Sequence, residues 1–219
     1  MRQPDNSKFR RFSLGDHVIG HVDQALHHIF LKQQSQRDYP AGSLQDAPLA
    51  SHEKRLSAGL MRVNHAGEMA AQALYQGQSI TARDISLRDK LHQASVEESD
   101  HLNWCRHRLD ELGEQPSKLD SFWYAGSFIM GVAAGVAGDR WNLGFLAETE
   151  HQVVRHLDNH LERLPEGDAR SRAIVTQMKK DEQGHAHLAE NLGAATLPRP
   201  VQLLMKLTSK VMTNVAQRI

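Results

Sequence analysis

The sequence predicts an all-α protein built on a four-helix bundle, with a long hydrophobic crossover helix and an amphipathic C-terminal helix. Three observations predict this class. From residue 51 onward, apolar residues recur at helical spacing with few β-branched runs. The strongest helical stretches form two pairs, each joined by a short connection, and a longer segment separates the pairs. The length of 219 residues is also sufficient for one sizeable core.

The order of helices and connections predicts how the bundle is wound. Short links near Arg83 and over 165–169 make each pair of helices an antiparallel hairpin. The segment 114–139 is too long for a tight turn, so we expect it to carry a helix of its own. Two hairpins joined by one long crossover form the ferritin-like arrangement. The four bundle helices are expected over residues 52–82, 86–113, 140–164 and 169–193.

We expect three regions along the chain. Residues 1–50 are predicted to be a helical arm and linker, with a helix from about Asp16 to Lys32. Residues 51–195 are predicted to form the bundle. Residues 196–219 are expected to be an amphipathic tail that packs on or beside it.

Charge and cysteine content narrow the function classes. The 26 Lys and Arg residues balance 26 Asp and Glu residues, so the chain lacks the basic excess typical of proteins that bind nucleic acid. Cys105 is the only cysteine, which excludes a disulfide within the chain and a cysteine-based zinc site. A reduced compartment is therefore expected, with Cys105 packed as a small hydrophobic residue. The N-terminal residues lack the apolar stretch of a secretory signal.

Ionisable residues interrupt the apolar stripes of the predicted bundle helices. Five of them fill gaps in otherwise apolar stripes, and the sixth lies on a less regular stripe of the first helix. Helical periodicity therefore directs those five side chains toward the core, and the sixth lies on a stripe that is only partly apolar. Because buried carboxylates need partners, such a set favours bound cations. The six residues are Glu68, Glu98, His101, Glu150, Glu182 and His185.

The spacing of these residues predicts a site for two metal ions. Glu-x-x-His occurs at 98–101 and again at 182–185, and this spacing puts both side chains of each copy on one helix face. Glu68 precedes the first copy by 30 residues, and Glu150 precedes the second by 32. This is the ligand set of carboxylate-bridged di-iron and di-manganese bundles. Ligand type alone does not separate iron from manganese.

Residues near these ligands have open interpretations. Glu97 and Asp181 each precede a ligand glutamate. They are either hydrogen-bond acceptors for the ligand histidines or solvated charges on a helix face. His156 is either a proton donor or substrate contact, or a buried histidine without a chemical role. Four other histidines are expected at the surface: His92, His107, His160 and His187.

At these motifs the sequence resembles the demethoxyubiquinone hydroxylase family, the non-haem di-iron quinone hydroxylases of ubiquinone biosynthesis. The resemblance covers about residues 58–194, so the N-terminal arm lies outside this family core. One departure is that Arg155 precedes His156 and Leu157 replaces an aromatic residue, which argues against a tyrosine role there. The matching segments are RVNHAGEMAAQALYQGQ with Glu68, EESDH with Glu98 and His101, ETEHQVVRHLDNHL with Glu150 and His156, and DEQGHAH with Glu182 and His185.

The resemblance implies a monooxygenase with two iron ions per chain. It would use O2 to hydroxylate the ring of a polyprenylated methoxy-methyl-benzoquinol (demethoxyubiquinol). A lipid-tailed substrate implies a peripheral location on the cytoplasmic face of the bacterial inner membrane. Accessory lipid-binding or ubiquinone-biosynthesis proteins are then candidate partners, and nucleic acid is not. The tail length, the electron donor and the oligomeric state are left open.

Two segments are candidates for membrane contact. Residues 121–138 are uncharged, and we favour a helix that lies at the membrane interface or binds a partner. A transmembrane helix and a buried crossover helix are the alternatives. The spacing of Gly131 and Gly135 would permit close helix packing in each case. Residues 201–219 form the second candidate surface.

Two other functions compete with the hydroxylase. A ferritin-like iron protein, acting as an iron store, ferroxidase or peroxidase, would use the same ligands but would not explain the apolar segment 121–138. A metal-free helical interaction protein would have no use for buried carboxylates. Glu→Gln changes at the four core positions should then stabilise it by removing buried repulsion.

Overall fold

The computed structural model describes residues 35–219, and the helix expected at about 16–32 lies outside these residues. The described residues form helices and connections without a strand, which confirms the predicted all-α class. The predicted bundle helices are present, with ends that differ by one or two residues. The helices are α1 (Ser51–Thr81), α2 (Ile85–Leu112), α3 (Asp120–Val136), α4 (Asp139–Arg163), α5 (Ala169–Asn191) and α6 (Arg199–Ala216).

Short capped turns make the two hairpins, α1 with α2 and α4 with α5. The Asp84 carboxylate accepts a hydrogen bond from the backbone N–H of Ser86 at 2.7 Å, which caps α2. Asp168 caps α5 in the same way, accepting from the backbone N–H of Ser171 at 2.9 Å. Gly113 ends α2 with a φ of 75°, a left-handed conformation that glycine adopts without strain. These local signals fix where the chain reverses.

The crossover helix α3 lies against α1 with its backbone in close contact. A Cβ atom at Gly131 would overlap the carbonyl oxygen of Leu74, and one at Gly77 would overlap the carbonyl oxygen of Phe128. The close packing predicted from Gly131 and Gly135 is therefore confirmed. Among the described residues, the helices are all too short or too polar to cross a bilayer.

Two helices expose apolar side chains instead of burying them. On α3 these are Phe122, Ile129 and Val136, while the opposite face of the helix packs on α1. The C-terminal helix α6 contacts α1 and α4. Its exposed apolar residues are Leu203, Leu204, Leu207 and Val211.

Two apolar clusters fill the bundle, one toward each end. The first surrounds Trp104, Cys105 and Met178, and Cys105 is fully buried, as expected from the sequence. The second surrounds Tyr75, Leu91, Leu143, Leu146 and Ala189. Each bundle helix contributes to both clusters, and its predicted ligand residues lie between them.

Residues 35–47, which we call the strap, lie across α2 and α5. The backbone N–H of Gln36 donates to Asp100 at 2.7 Å. The Arg37 guanidinium contacts Asp181 at 2.8 Å and lies over the ring of Trp104. The ring of Tyr39 stacks on that of His107, with the centroids 4.4 Å apart. The strap therefore contacts both helices that carry a Glu-x-x-His motif.

A buried arginine joins the far end of the strap to the same two helices. Arg108 is 2% exposed, and its guanidinium contacts Asp46 at 2.6 Å, Asp168 at 2.8 Å and Glu111 at 2.8 Å. Its Nε donates to the hydroxyl of Ser171 at 2.8 Å. One side chain thus links the strap, α2 and the first turn of α5.

Candidate metal centre

The six residues selected from the sequence meet in the middle of the bundle. All six are buried, and their ligand atoms form two groups, with the atoms of each group within 4.8 Å of one another. Glu182 belongs to both groups. The first group is Glu68, Glu98, His101 and Glu182, and the second is Glu150, Glu182 and His185.

Two carboxylates lie between the two histidines. Nδ1 of His101 is 3.1 Å from Oε2 of Glu98 and 3.0 Å from Oε1 of Glu182. Nδ1 of His185 is 3.3 Å from Oε1 of Glu98 and 2.9 Å from Oε2 of Glu182. Glu98 and Glu182 thus each present one oxygen to each histidine. This is the arrangement of carboxylates that bridge two cations, with one histidine beside each cation.

The outer nitrogens of the two histidines contact carboxylates in a crossed pattern. Nε2 of His101, on α2, lies 3.0 Å from Asp181 on α5. Nε2 of His185, on α5, lies 2.9 Å from Glu97 on α2. A carboxylate accepts a hydrogen bond, so each contact favours a proton on Nε2. Nδ1 faces the cluster, and its lone pair could bind a cation in place of a proton.

Tyr75 is a site residue to which the sequence analysis gave no role. Its hydroxyl is buried and donates to Oε1 of Glu150 at 2.7 Å. Burial and the nearby Glu150 carboxylate raise the pKa of Tyr75 well above its usual value, so the phenol stays protonated. The sequence could have identified Tyr75 as a site residue, because it lies seven residues after Glu68 and therefore on the same helix face.

The pKa values of the cluster residues are shifted by their burial and by their closeness to one another. Burial raises the pKa of Glu68 and of Glu150 well above the usual value for glutamate. For Glu98, burial has the same tendency, but hydrogen bonds with His101 and His185 outweigh it and lower its pKa. The ring nitrogens, although buried, have raised pKa values because carboxylates surround them.

The donor set fits two divalent metal ions. Oε1 of Glu98 and Oε1 of Glu182 are buried, and each faces Nδ1 of one of the two histidines. Two divalent cations would satisfy these oxygens, and their four positive charges would match the four carboxylates of the cluster. Carboxylate oxygens with two imidazoles are suitable ligands for iron and manganese.

An apolar cavity of about 340 Å³ reaches the cluster from one side. Glu68, Glu150 and Glu182 contribute to its wall, so the cavity ends at the candidate metal centre. Helices α1, α3, α4 and α6 supply the rest of the lining, and α3 and α6 are the helices with exposed apolar faces. The lining includes Val63, Asn64, Ala71, Leu74, Phe122, Trp123, Met130, Thr149, Val153, His156, Met205 and Met212.

His156 lines this cavity, and His160 lies next to it. The prediction that His160 is at the surface was wrong, because it is 1% exposed and its ring lies 3.9 Å from that of His156. Burial, together with nearby positive charge, lowers the pKa of His156 to about 4 and that of His160 to about 2. Both rings are therefore neutral at pH 7. His92, His107 and His187 are exposed, as predicted.

Comparisons with known proteins agree with the motifs. A family model described as "Ubiquinone biosynthesis protein COQ7" matches residues 55–216. The 3-demethoxyubiquinol 3-hydroxylase of Chromobacterium violaceum is 54% identical over 204 residues, which are 93% of this chain and 99% of that protein. The protein of the same name from Nitrosococcus oceani is 51% identical over 208 residues, covering 94% and 97% of the two chains. The one from Bordetella avium is 54% identical over 204 residues, covering 93% and 94%.

The comparisons also bear on the N-terminal arm. The family model begins at residue 55, consistent with an arm outside the family core. Residues 51–219 number only 169, however, while the alignments span 204 residues or more. The similarity to these relatives therefore extends into the arm.

Proposed function

The chain belongs to the COQ7 family of ubiquinone biosynthesis proteins, and from this membership we propose that it is a 3-demethoxyubiquinol 3-hydroxylase. The reaction inserts one oxygen atom of O2 into the ring of a polyprenylated methoxy-methyl-benzoquinol. The observation that carries the proposal is the apolar cavity that ends at the carboxylates of the candidate metal centre. A ferroxidase or peroxidase needs the metal ligands but has no use for an apolar cavity of this size.

Six residues would hold two iron ions. Glu68 and His101 would bind one ion, Glu150 and His185 would bind the other, and Glu98 and Glu182 would bridge them. When bound, the iron pair supplies the activation of O2 and the redox chemistry of hydroxylation.

Four further residues support this ligand set. Asp181 and Glu97 hold the proton on Nε2 of the two histidines, which orients each ring and keeps Nδ1 available. The hydroxyl of Tyr75 fixes the orientation of the Glu150 carboxylate. Arg37 holds Asp181 from the other side, at 2.8 Å.

His156 is the candidate substrate contact of the cavity. Its Nε2 is buried and has no hydrogen-bond partner among the described residues. Because its pKa is lowered to about 4, the ring is neutral at pH 7, and a ring nitrogen without a proton can accept a hydrogen bond from a substrate hydroxyl. The apolar lining excludes water, so a substrate hydroxyl would be the partner of this nitrogen.

The lipid tail of the substrate would leave the cavity beside α3 and α6. The exposed apolar residues of α3 (Phe122, Ile129) and α6 (Leu204, Leu207) would lie in the membrane interface. These faces support a peripheral location on a membrane, and the family resemblance is the reason to propose the cytoplasmic face of the inner membrane. Accessory lipid-binding or ubiquinone-biosynthesis proteins would reach the enzyme through the same faces.

The test combines metal analysis with quinone analysis in cells that lack this protein. Wild-type protein should contain about two irons per chain, the number expected of a di-iron carboxylate bundle. Glu98→Ala and Glu182→Ala should lose the iron, and cells carrying them should accumulate a demethoxy quinone. Glu162→Ala is the matched control, because Glu162 is exposed on α4. Two irons per chain with an unchanged quinone profile would instead favour the ferroxidase or peroxidase.

A further inference from the structure

One buried amide in the cavity has an oxygen without a partner. Asn64 lines the cavity and is only 3% exposed. Among the described residues its Oδ1 has no hydrogen-bond partner, while its Nδ2 donates to the sulfur of Met61 at 3.8 Å. Asn64 lies four residues before Glu68 on α1, so both side chains share one helix face. The amide therefore lies one helical turn from the candidate metal centre.

Two neighbouring polar side chains of the lining are satisfied within the protein. The hydroxyl of Thr149 donates to the carbonyl oxygen of Phe145 at 2.9 Å. The amide of Gln152 donates to Glu148 at 2.7 Å. Apart from Asn64, the unpartnered buried groups of the described lining are Glu182 Oε1, His156 Nε2 and Trp123 Nε1. A buried amide oxygen without a partner costs stability, so its presence in an apolar cavity indicates a ligand that completes it.

We propose that Asn64 binds a ring oxygen of the quinol and sets which ring position faces the metal centre. This inference rests on the proposed function and identifies a specificity residue for it. An amide can accept a hydrogen bond from a quinol hydroxyl through Oδ1, and it can donate to a quinone carbonyl through Nδ2. A carboxylate would only accept, and it would add negative charge beside Glu68. Asparagine therefore suits both redox forms of the ring.

The binding test uses the full-length protein as purified, without oxygen and with its iron content measured. The first probe is an oxidised demethoxyubiquinone with a decyl tail. The second is decyl toluene, which has a similar ring and the same tail but no ring oxygens. Binding is followed by tryptophan fluorescence, since Trp123 lines the same cavity. Asn64→Leu should weaken quinone binding about five- to tenfold, the value of one hydrogen bond to a neutral group.

Three further results are expected. Asn64→Leu should bind decyl toluene as well as wild type does, because that probe has no ring oxygen with which Asn64 could form a hydrogen bond. Its melting temperature should rise, because the change removes an unsatisfied buried amide. Asn159→Leu is the matched control and should bind both probes normally, because Asn159 is exposed on α4 and does not line the cavity. Asn64→Ala gives the same comparison with a smaller side chain.

Other outcomes would overturn the inference. If Asn64→Leu binds the quinone as wild type does, or loses affinity for both probes equally, Asn64 does not bind a ring oxygen, and the hydroxylase proposal stands. If wild-type protein binds the toluene as tightly as the quinone, the cavity does not recognise ring oxygens at all. In that case the proposed substrate is wrong as well.

Discussion

At the scale of single residues, Asp181 offers the clearest test of the outer carboxylates. Asp181→Asn retains the size of the side chain but weakens the charge-assisted contact with Nε2 of His101. We expect metal affinity to fall about 10- to 100-fold, as is usual when such an outer partner of a ligand histidine is changed. Competition with a chelator measures this. Glu162→Gln, an exposed change on α4, should leave the affinity unaltered. Unaltered affinity in Asp181→Asn would make Asp181 merely a solvated charge.

The two adjacent histidines, His156 and His160, predict a pH dependence of stability. An unfolded histidine takes up a proton near pH 6.5, whereas His156 in the folded chain does so only near pH 4. The unfolded chain therefore binds more protons between these values, so the free energy of unfolding falls as the pH falls through this window. His156→Gln should remove about 3 kcal/mol of the total fall in the free energy of unfolding across this window. Denaturant unfolding at several pH values measures it, and equal slopes in the two proteins would contradict the account.

At this scale, helical periodicity predicts much of the site but not all of it. A glutamate or histidine in an apolar stripe must face the core, so the meeting of six such side chains could be expected. The burial of His160 was missed, although His160 lies three residues after Leu157 and four before Leu164, which are both buried. Tyr75 and Asn64 lie on the Glu68 stripe, but their partners become visible only in three dimensions.

At the scale of elements, Arg108 is the connection on which the strap depends. Arg108→Ala would leave Asp168, which is fully buried, without its cationic partner. The expected loss is about 3–5 kcal/mol in the free energy of unfolding. Arg155→Ala is the control, since Arg155 is exposed and pairs only with Glu148, and it should cost less than about 1 kcal/mol. Denaturant unfolding distinguishes the two, and losses of equal size would contradict a structural role for Arg108.

For two glycines of α3, we predict changes in stability of opposite sign on substitution by alanine. Gly131→Ala places a Cβ atom against the carbonyl oxygen of Leu74, so the helices must separate. We expect a loss of about 1–3 kcal/mol, typical of overpacking. At Gly126, on the same helix, a Cβ atom meets nothing within 4 Å. Gly126→Ala should therefore stabilise the helix by up to about 1 kcal/mol. Melting temperatures of both variants test this, and a stabilised Gly131→Ala would contradict the close contact.

The elements themselves differ in how far sequence predicts them. The crossover helix could be predicted because a segment of that length and apolarity cannot remain an open loop. The strap could not, because the stretch DYPAGSLQDAP has no period and owes its place to distant partners such as Arg108 and Arg170.

At the scale of the whole molecule, a layer of charged side chains lies between two apolar clusters, and each of the four bundle helices contributes to the layer and to both clusters. The apolar packing that stabilises the bundle is in the clusters, so the charged layer does not have to supply it. The cavity opens this layer on the side of α3 and α6, whose outer faces remain apolar. The molecule thus joins the candidate metal centre to an apolar outer surface, which the proposed function requires for a lipid-tailed substrate.

The most direct test of this account is the fate of oxygen in a single reaction. Iron-loaded protein is given a reduced demethoxyubiquinol with a short tail, an external reductant and ¹⁸O2, and the product is examined by mass spectrometry. The account predicts a hydroxylated quinol that carries one ¹⁸O atom in the ring. A hydroxylated product that carries oxygen from water, or oxidation of the quinol without hydroxylation, would contradict it.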